Sequence, residues 1–159
     1  MTRETQYEVE QFLYRQAEIL AERDWQAWLD LFTPEGIYWM PADPAHTSDE
    51  GVPSIFREDR WLMLTRTRRL ENPKAWSQSP QNRTSTLVGN VAVLSDDGLT
   101  ITSRARFHTV EQRMYEMRYF AGRYEHSLVR TEGGLRIQRQ RVDLLSYDAP
   151  IEFVLQFWL

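Results

Sequence analysis

The sequence predicts an α+β chain, with helices from its first half packed inside a strongly curved antiparallel sheet. Three observations carry this. Apolar residues recur at helical steps of three and four near the start. From Ile101 onward they alternate instead, as in half-buried strands. One late strand switches parity midway, which requires a bulge and so a bent sheet. The 159 residues suit one domain spanning 1–159, with helices at about 6–32 and 54–71 and the sheet mainly in 84–159.

Between Gln6 and Asp24, the residues Val9, Phe12, Leu13, Gln16, Ile19 and Leu20 fall on one helical stripe, with Glu10, Arg15 and Glu22 elsewhere. Asp24 is placed to cap a second, short helix carrying Trp25, Trp28, Leu29 and Phe32. Thr33-Pro34-Glu35-Gly36 should end it, and Ile37 to Met40 reads as a short strand stopped by Pro41. The proline-rich residues 42–53 read as a loop. A third helix is expected from Ser54 to Glu71, with Phe56, Trp61, Leu64 and Leu70 and a basic face of Arg57, Arg60, Arg66, Arg68 and Arg69. Asn72-Pro73 closes it, and an irregular stretch follows to Asn82.

Thr84 to Leu94 is rich in threonine and valine, and Ser95-Asp96-Asp97-Gly98 is a hairpin turn. Ile101, Ala105 and Phe107 then face one way, with Thr102, Arg104 and Arg106 opposite. Phe120, Tyr124 and Leu128 share a side of the next strand, before a turn at Glu132-Gly133-Gly134. Leu135 and Ile137 are odd, whereas Val142 and Leu144 are even. A β-bulge is therefore expected between Gln138 and Arg141. Residues 151–159 are strongly apolar, whereas segment ends are usually polar. At roughly 1.5–3 kcal/mol for each large side chain buried, they should pack in the chain's own sheet, against another subunit, or both.

Cysteine is absent, which removes disulfides, thiolate nucleophiles and cysteine-ligated clusters. A net charge of −4 argues against general nucleic-acid binding. No run of 18 apolar residues is present, and no signal-peptide pattern, so no membrane span and a cytoplasmic location are expected. Lys74 is the one lysine, so the basic charge is almost all arginine. That suits bidentate contacts at interfaces, although coding bias in a GC-rich genome gives the same count.

Of the three histidines, His46 should lie in solvent, His108 on a polar strand face, and His126 inward. None has a second histidine at metal-ligand spacing, so no metal or cofactor site is expected. A cup of sheet and helices can still run acid–base chemistry. Tyr14, Tyr38, Asp30, His126 and Asp143 are the candidates, each with a structural reading: a packed tyrosine, an arginine-paired acid, a satisfied core histidine. No nucleophile elbow, phosphate loop or dinucleotide fingerprint occurs.

The opening, Tyr7, Val9, Phe12-Leu13-Tyr14-Arg15, Ala17, then Trp25, Trp28-Leu29 and Tyr38-Trp39-Met40-Pro41, resembles the small (β) subunits of bacterial aromatic-ring-hydroxylating (Rieske non-haem iron) dioxygenases. Arg68-Arg69-Leu70, Ala75-Trp76-Ser77, Pro80, Arg83-Thr84, Asn90-Val91 and Tyr119-Phe120-Ala121-Gly122 are similar to the same family's central and later pattern. The likeness covers nearly the whole chain and is nearest the benzoate, toluate and anthranilate type.

The resemblance implies a cystatin-like, nuclear transport factor 2-like cone. It implies a structural, non-catalytic subunit with no catalytic, cofactor or metal residue of its own. The partner would be the large α subunit, holding a Rieske [2Fe-2S] cluster and mononuclear iron in an α3β3 hexamer served by a ferredoxin or reductase. Interface residues would include Phe153, Phe157, Trp158 and Leu159, with Arg66 and Arg69. The rivals are a free-standing isomerase or dehydratase and a small-ligand binding module of the same fold. Ketosteroid-isomerase-like enzymes carry an acid just before the proline ending the first strand; here Met40 stands there.

Overall fold

A computed structural model describes residues 2–74, 81–149 and 155–159. Helix α1, Arg3–Glu22, starts at Thr2, whose hydroxyl accepts from the Thr5 amide, and ends at Arg23 in the left-handed conformation (φ 58°). Its inner face is the expected stripe, Val9, Phe12, Leu13, Gln16, Ile19 and Leu20. Asp24 caps helix α2, Trp25–Asp30, accepting from the Ala27 amide at 3.1 Å. Arg23 crosses to donate to Asn82 Oδ1 at 2.6 Å and lies over the Trp25 ring.

Strand β1, Phe32–Pro41, starts earlier than the sequence suggests. The helix expected to reach Phe32 stops at Asp30, so Phe32 opens the strand and Thr33-Pro34-Glu35-Gly36 is an irregular stretch of it, with register lost between Phe32 and Ile37. Proline lacks the donor a ladder needs, so the break falls there. The expected helix at 54–71 needs correction. Ser54–Glu58 is strand β2, paired antiparallel to β1, and only Arg60–Glu71 forms helix α3, capped by Asp59. The apolar residues Ile55 and Phe56 serve a two-residue pleat as readily as a helical stripe, and the cap at Asp59 decides where the helix starts.

The strands β3 (Arg83–Asp96), β4 (Thr100–Arg113), β5 (Glu116–Thr131) and β6 (Gly134–Leu144) form an antiparallel meander. The sheet order is β2-β1-β6-β5-β4-β3, and β1 meets β6 in parallel. That parallel pair departs from a wholly antiparallel sheet. Returning to β1 after the meander requires no hairpin, so either direction is open. The β3–β4 turn is stabilised by Asp97, which accepts from the Leu99 and Thr100 amides, with Gly98 at φ 91°.

The bulge in β6 lies at Gln138, because Ser127 pairs with Arg139 while Leu128 pairs with Ile137. One extra residue there moves Val142 and Leu144 to the same inner face as Leu135 and Ile137. Strand β3 carries two further irregularities, one at Asn90, whose φ is 52°. These bends curl the sheet around α1 and α2.

Candidate functional site

The inner face of the sheet carries a polar row across three strands. Ser103 on β4 pairs with His126 on β5, which pairs with Gln140 on β6. Gln16 of α1 closes over it, and its Oε1 lies 3.1 Å from His126 Nε2. An amide oxygen accepts, so Nε2 carries the proton and Nδ1 is left without a partner. All four side chains are buried. Burial pushes the His126 imidazole down to about 3, with the nearby Gln140 amide opposing. His126 is therefore neutral at neutral pH, and no carboxylate joins this row.

The remaining acid–base candidates are dispersed. Tyr14 is 41% exposed on α1. Asp30 is exposed and accepts from Gln26 at 3.0 Å. Asp143 lies on the outer face of β6, paired with Arg123 at 3.3 Å and Arg141 at 3.0 Å. The other acids buried among the described residues, Glu58 and Glu111, also meet arginines, Arg66 at 2.8 Å and Arg118 at 3.6 Å. Met40 is fully buried beside Phe56, where a base would stand. His46 is half-buried rather than in solvent, because Arg141 draws its carbonyl in at 2.7 Å. His108 is exposed on the polar face and pairs with Ala121, away from His126. Among the described residues, no group of three or more His, Asp or Glu stands where it could hold a metal ion.

Phe157, Trp158 and Leu159 do not extend the sheet; they turn into the core. Trp158 sits against Trp25 and Trp28, at ring-centroid separations of 5.6 and 5.4 Å. Phe157 meets Phe120 edge-on. Tyr38, also buried, bonds to the Leu159 main chain, and burial raises its phenol above its ordinary value. Of the alternatives for the terminal segment, these three residues are covered within the chain, in its core and not as a further strand of its sheet. Phe153 lies outside the described residues. Arg66 pairs with Glu58 and lies over the Phe56 ring at 4.4 Å, while Arg69 is exposed. Both line a cleft of about 280 Å³ between β2 and α3, together with Ile55, Arg57 and Leu62.

The family model described as "Ring hydroxylating beta subunit" matches residues 15–147. The chain belongs to this family of ring-hydroxylating β subunits. It is 34% identical to the anthranilate 1,2-dioxygenase small subunit of Acinetobacter baylyi, over 99% of each chain. It is 30% identical to the 2-halobenzoate 1,2-dioxygenase small subunit of Burkholderia cepacia, over 84% of each. The benzoate 1,2-dioxygenase β subunit of Burkholderia mallei shares its fold, with TM-score 0.74 and 24% identity, covering 92% of this chain and 95% of that one.

Sequence reasoning missed one surface of this β subunit. Leu87, Met117 and Tyr119 project from the outer face of β3 and β5 rather than packing inside. Their signal was the loss of strict alternation, since Tyr119 and Phe120 are adjacent and both aromatic.

Proposed function

We propose that this β subunit supports ring dioxygenation without performing it, by holding the catalytic large subunits of a terminal oxygenase in one assembly. The observation that carries this is the chemistry of the cup: Met40 replaces a base, the buried acids are matched to arginines, and the central histidine is held neutral. In this reading the Rieske cluster and mononuclear iron reside in the large subunit, in an α3β3 hexamer fed by a ferredoxin or reductase. The relatives named for anthranilate and halobenzoate support an aromatic acid as substrate. No described helix is long and apolar enough to cross a membrane, and a cytoplasmic location is part of the proposal.

The proposed contact with the large subunit includes the α3–β2 cleft. Exposed Arg57 and Arg69 offer cations beside exposed Trp61 and Leu62. Arg66, Phe157, Trp158 and Leu159 back that surface, because Arg66 lies 6.0 Å from the Trp158 ring. Phe153 belongs to the same proposal. Co-expression with the large-subunit gene should give one hetero-oligomer by native mass measurement, and Arg69→Glu should weaken it. A stable chain with no affinity for a Rieske-type partner would overturn the reading.

A further inference from the structure

Three polar side chains inside the cone have hydrogen-bonding capacity that the chain does not use. Ser103 Oγ, His126 Nδ1 and both amide atoms of Gln140, Oε1 and Nε2, are buried with no hydrogen-bond partner among the described residues. The three residues are 0%, 1% and 0% exposed, so bulk water does not reach them. Folded proteins pair nearly all such atoms, because a bare buried donor or acceptor gives up its hydration without return. Four of them on three residues call for a physical cause.

The register brings these atoms together. Ser103 of β4 stands opposite His126 of β5, and His126 stands opposite Gln140 of β6. Directly opposed β-carbons lie about 4.5–5.5 Å apart, so the three side chains are cross-strand neighbours on the inner face. Direct bonds between them still do not close. Gln16 holds the imidazole from the helix side, its Oε1 3.1 Å from Nε2. Gln140 is near enough to act on the charge of the ring, yet it lacks hydrogen-bond geometry to it. Apolar and aromatic residues wall the row on both sides. Ile101, Leu128 and Ile137 pair across the same strands on one side, and Ala105, Tyr124 and Val142 on the other, all of them buried.

The chemistry of the four atoms narrows what can join them. Nδ1 of this tautomer and Gln140 Oε1 accept, Gln140 Nε2 donates, and Ser103 Oγ does both. The joining group must therefore donate as well as accept. It must be uncharged, because the row holds no acid or cation to balance an ion in a buried place. It must also be small, since the flanking residues close on both sides. We infer that the row is a buried hydration site, where one or two ordered water molecules bridge Ser103 and Gln140 to His126 Nδ1. A water in such a place makes about three hydrogen bonds, which matches the partners on offer. The imidazole is then held from both sides, with Gln16 taking the Nε2 proton and water donating to Nδ1. Through that water β4 and β6 are tied to the histidine that α1 already holds. The site lies within one chain and goes beyond the oxygenase reading without depending on it.

The test has a structural arm and an energetic arm. A crystal structure of the full chain, alone or with its large subunit, is determined at a resolution that shows ordered water. Density for water should stand roughly 2.7–3.2 Å from His126 Nδ1 and at similar range from Ser103 Oγ or the Gln140 amide. Ser103→Ala supplies the sign. If the hydroxyl is bare, its removal relieves a desolvated group, and the folding equilibrium constant rises. If it holds water, the constant should fall roughly 2- to 10-fold in denaturant titration. Water density together with a lowered constant supports the site. A row closed by direct bonds between these side chains, no density, or density for a larger molecule would each overturn the inference. So would a constant that Ser103→Ala leaves unchanged or raises.

Discussion

The Tyr38 hydroxyl holds both main-chain polar groups of Leu159, accepting from its amide at 3.1 Å and donating to its main-chain oxygen at 3.2 Å. Both residues are fully buried, so neither group of Leu159 has water as an alternative. Tyr38→Phe should destabilise the chain by about 1–3 kcal/mol in denaturant titration. A loss below about 0.3 kcal/mol would show that the contact contributes nothing net.

His126 gives a pH signature with a fixed sign. Its folded-state value lies near 3, below the ordinary 6.5, so the unfolded chain binds the extra proton first. The stabilising effect is complete above about pH 6.5 and is lost as pH falls from there toward 3, on the order of several kcal/mol in all. Compared at each pH with His126→Gln, the native chain should lose stability faster on acidification. Parallel curves for the two proteins would refute the neutral, buried histidine.

Gly122 lies where β5 meets the end of β6. A β-carbon there would stand 2.0 Å from the Asp143 carbonyl oxygen and 3.1 Å from the Phe107 ring. The obstacle is backbone, so relief needs the two strands to part. Gly122→Ala should cost more than about 2 kcal/mol by thermal or chemical unfolding. A neutral outcome would mean that the strand ends give way easily.

Glu58 shows how the buried acids depend on their arginines. Burial raises its carboxyl above the ordinary value, and Arg66 opposes that shift. Arg66→Met leaves an unpaired buried carboxylate, at a cost of about 3–5 kcal/mol near neutral pH. With the folded value raised further, the deficit should shrink as the solution is acidified toward 4.5, where the unfolded chain also takes up the proton. Adding Glu58→Gln should recover much of the loss. If the double variant is no better than the single one, packing of Arg66 on Phe56 is the larger part of its role.

Local chemistry explains what the sequence made legible. The α1 stripe, the Asp24 cap, the hairpin at Asp97-Gly98 and the parity switch in β6 each depend on residues within a few positions. The inward turn of His126 followed from the same alternation. Strand β2 has the sequence of a helix start because five residues cannot separate the two periods, and its identity comes from pairing with β1. The parallel joining of β1 and β6 depends on the path of the whole chain. For the site, composition gave the candidates but not their separation. Tyr14, Asp30 and Asp143 are ordinary residues until the fold sets them on different surfaces. The inward turn of Phe157 to Leu159 was not legible, because an apolar segment fits its own core as well as a partner.

The Tyr38–Leu159 contact spans 121 positions, and β1 finds its parallel neighbour only in the last strand of the meander. A nascent chain with its helices already emerged from the ribosome leaves Trp25 and Trp28 without the Trp158 part of their cover until residues 157–159 arrive. Closing such distant contacts is slow, because the entropy of a long loop is lost before any contact rewards it. During that interval the part-covered tryptophans are a target for aggregation, so the yield of this chain in a cell should depend on chaperone capacity and growth temperature.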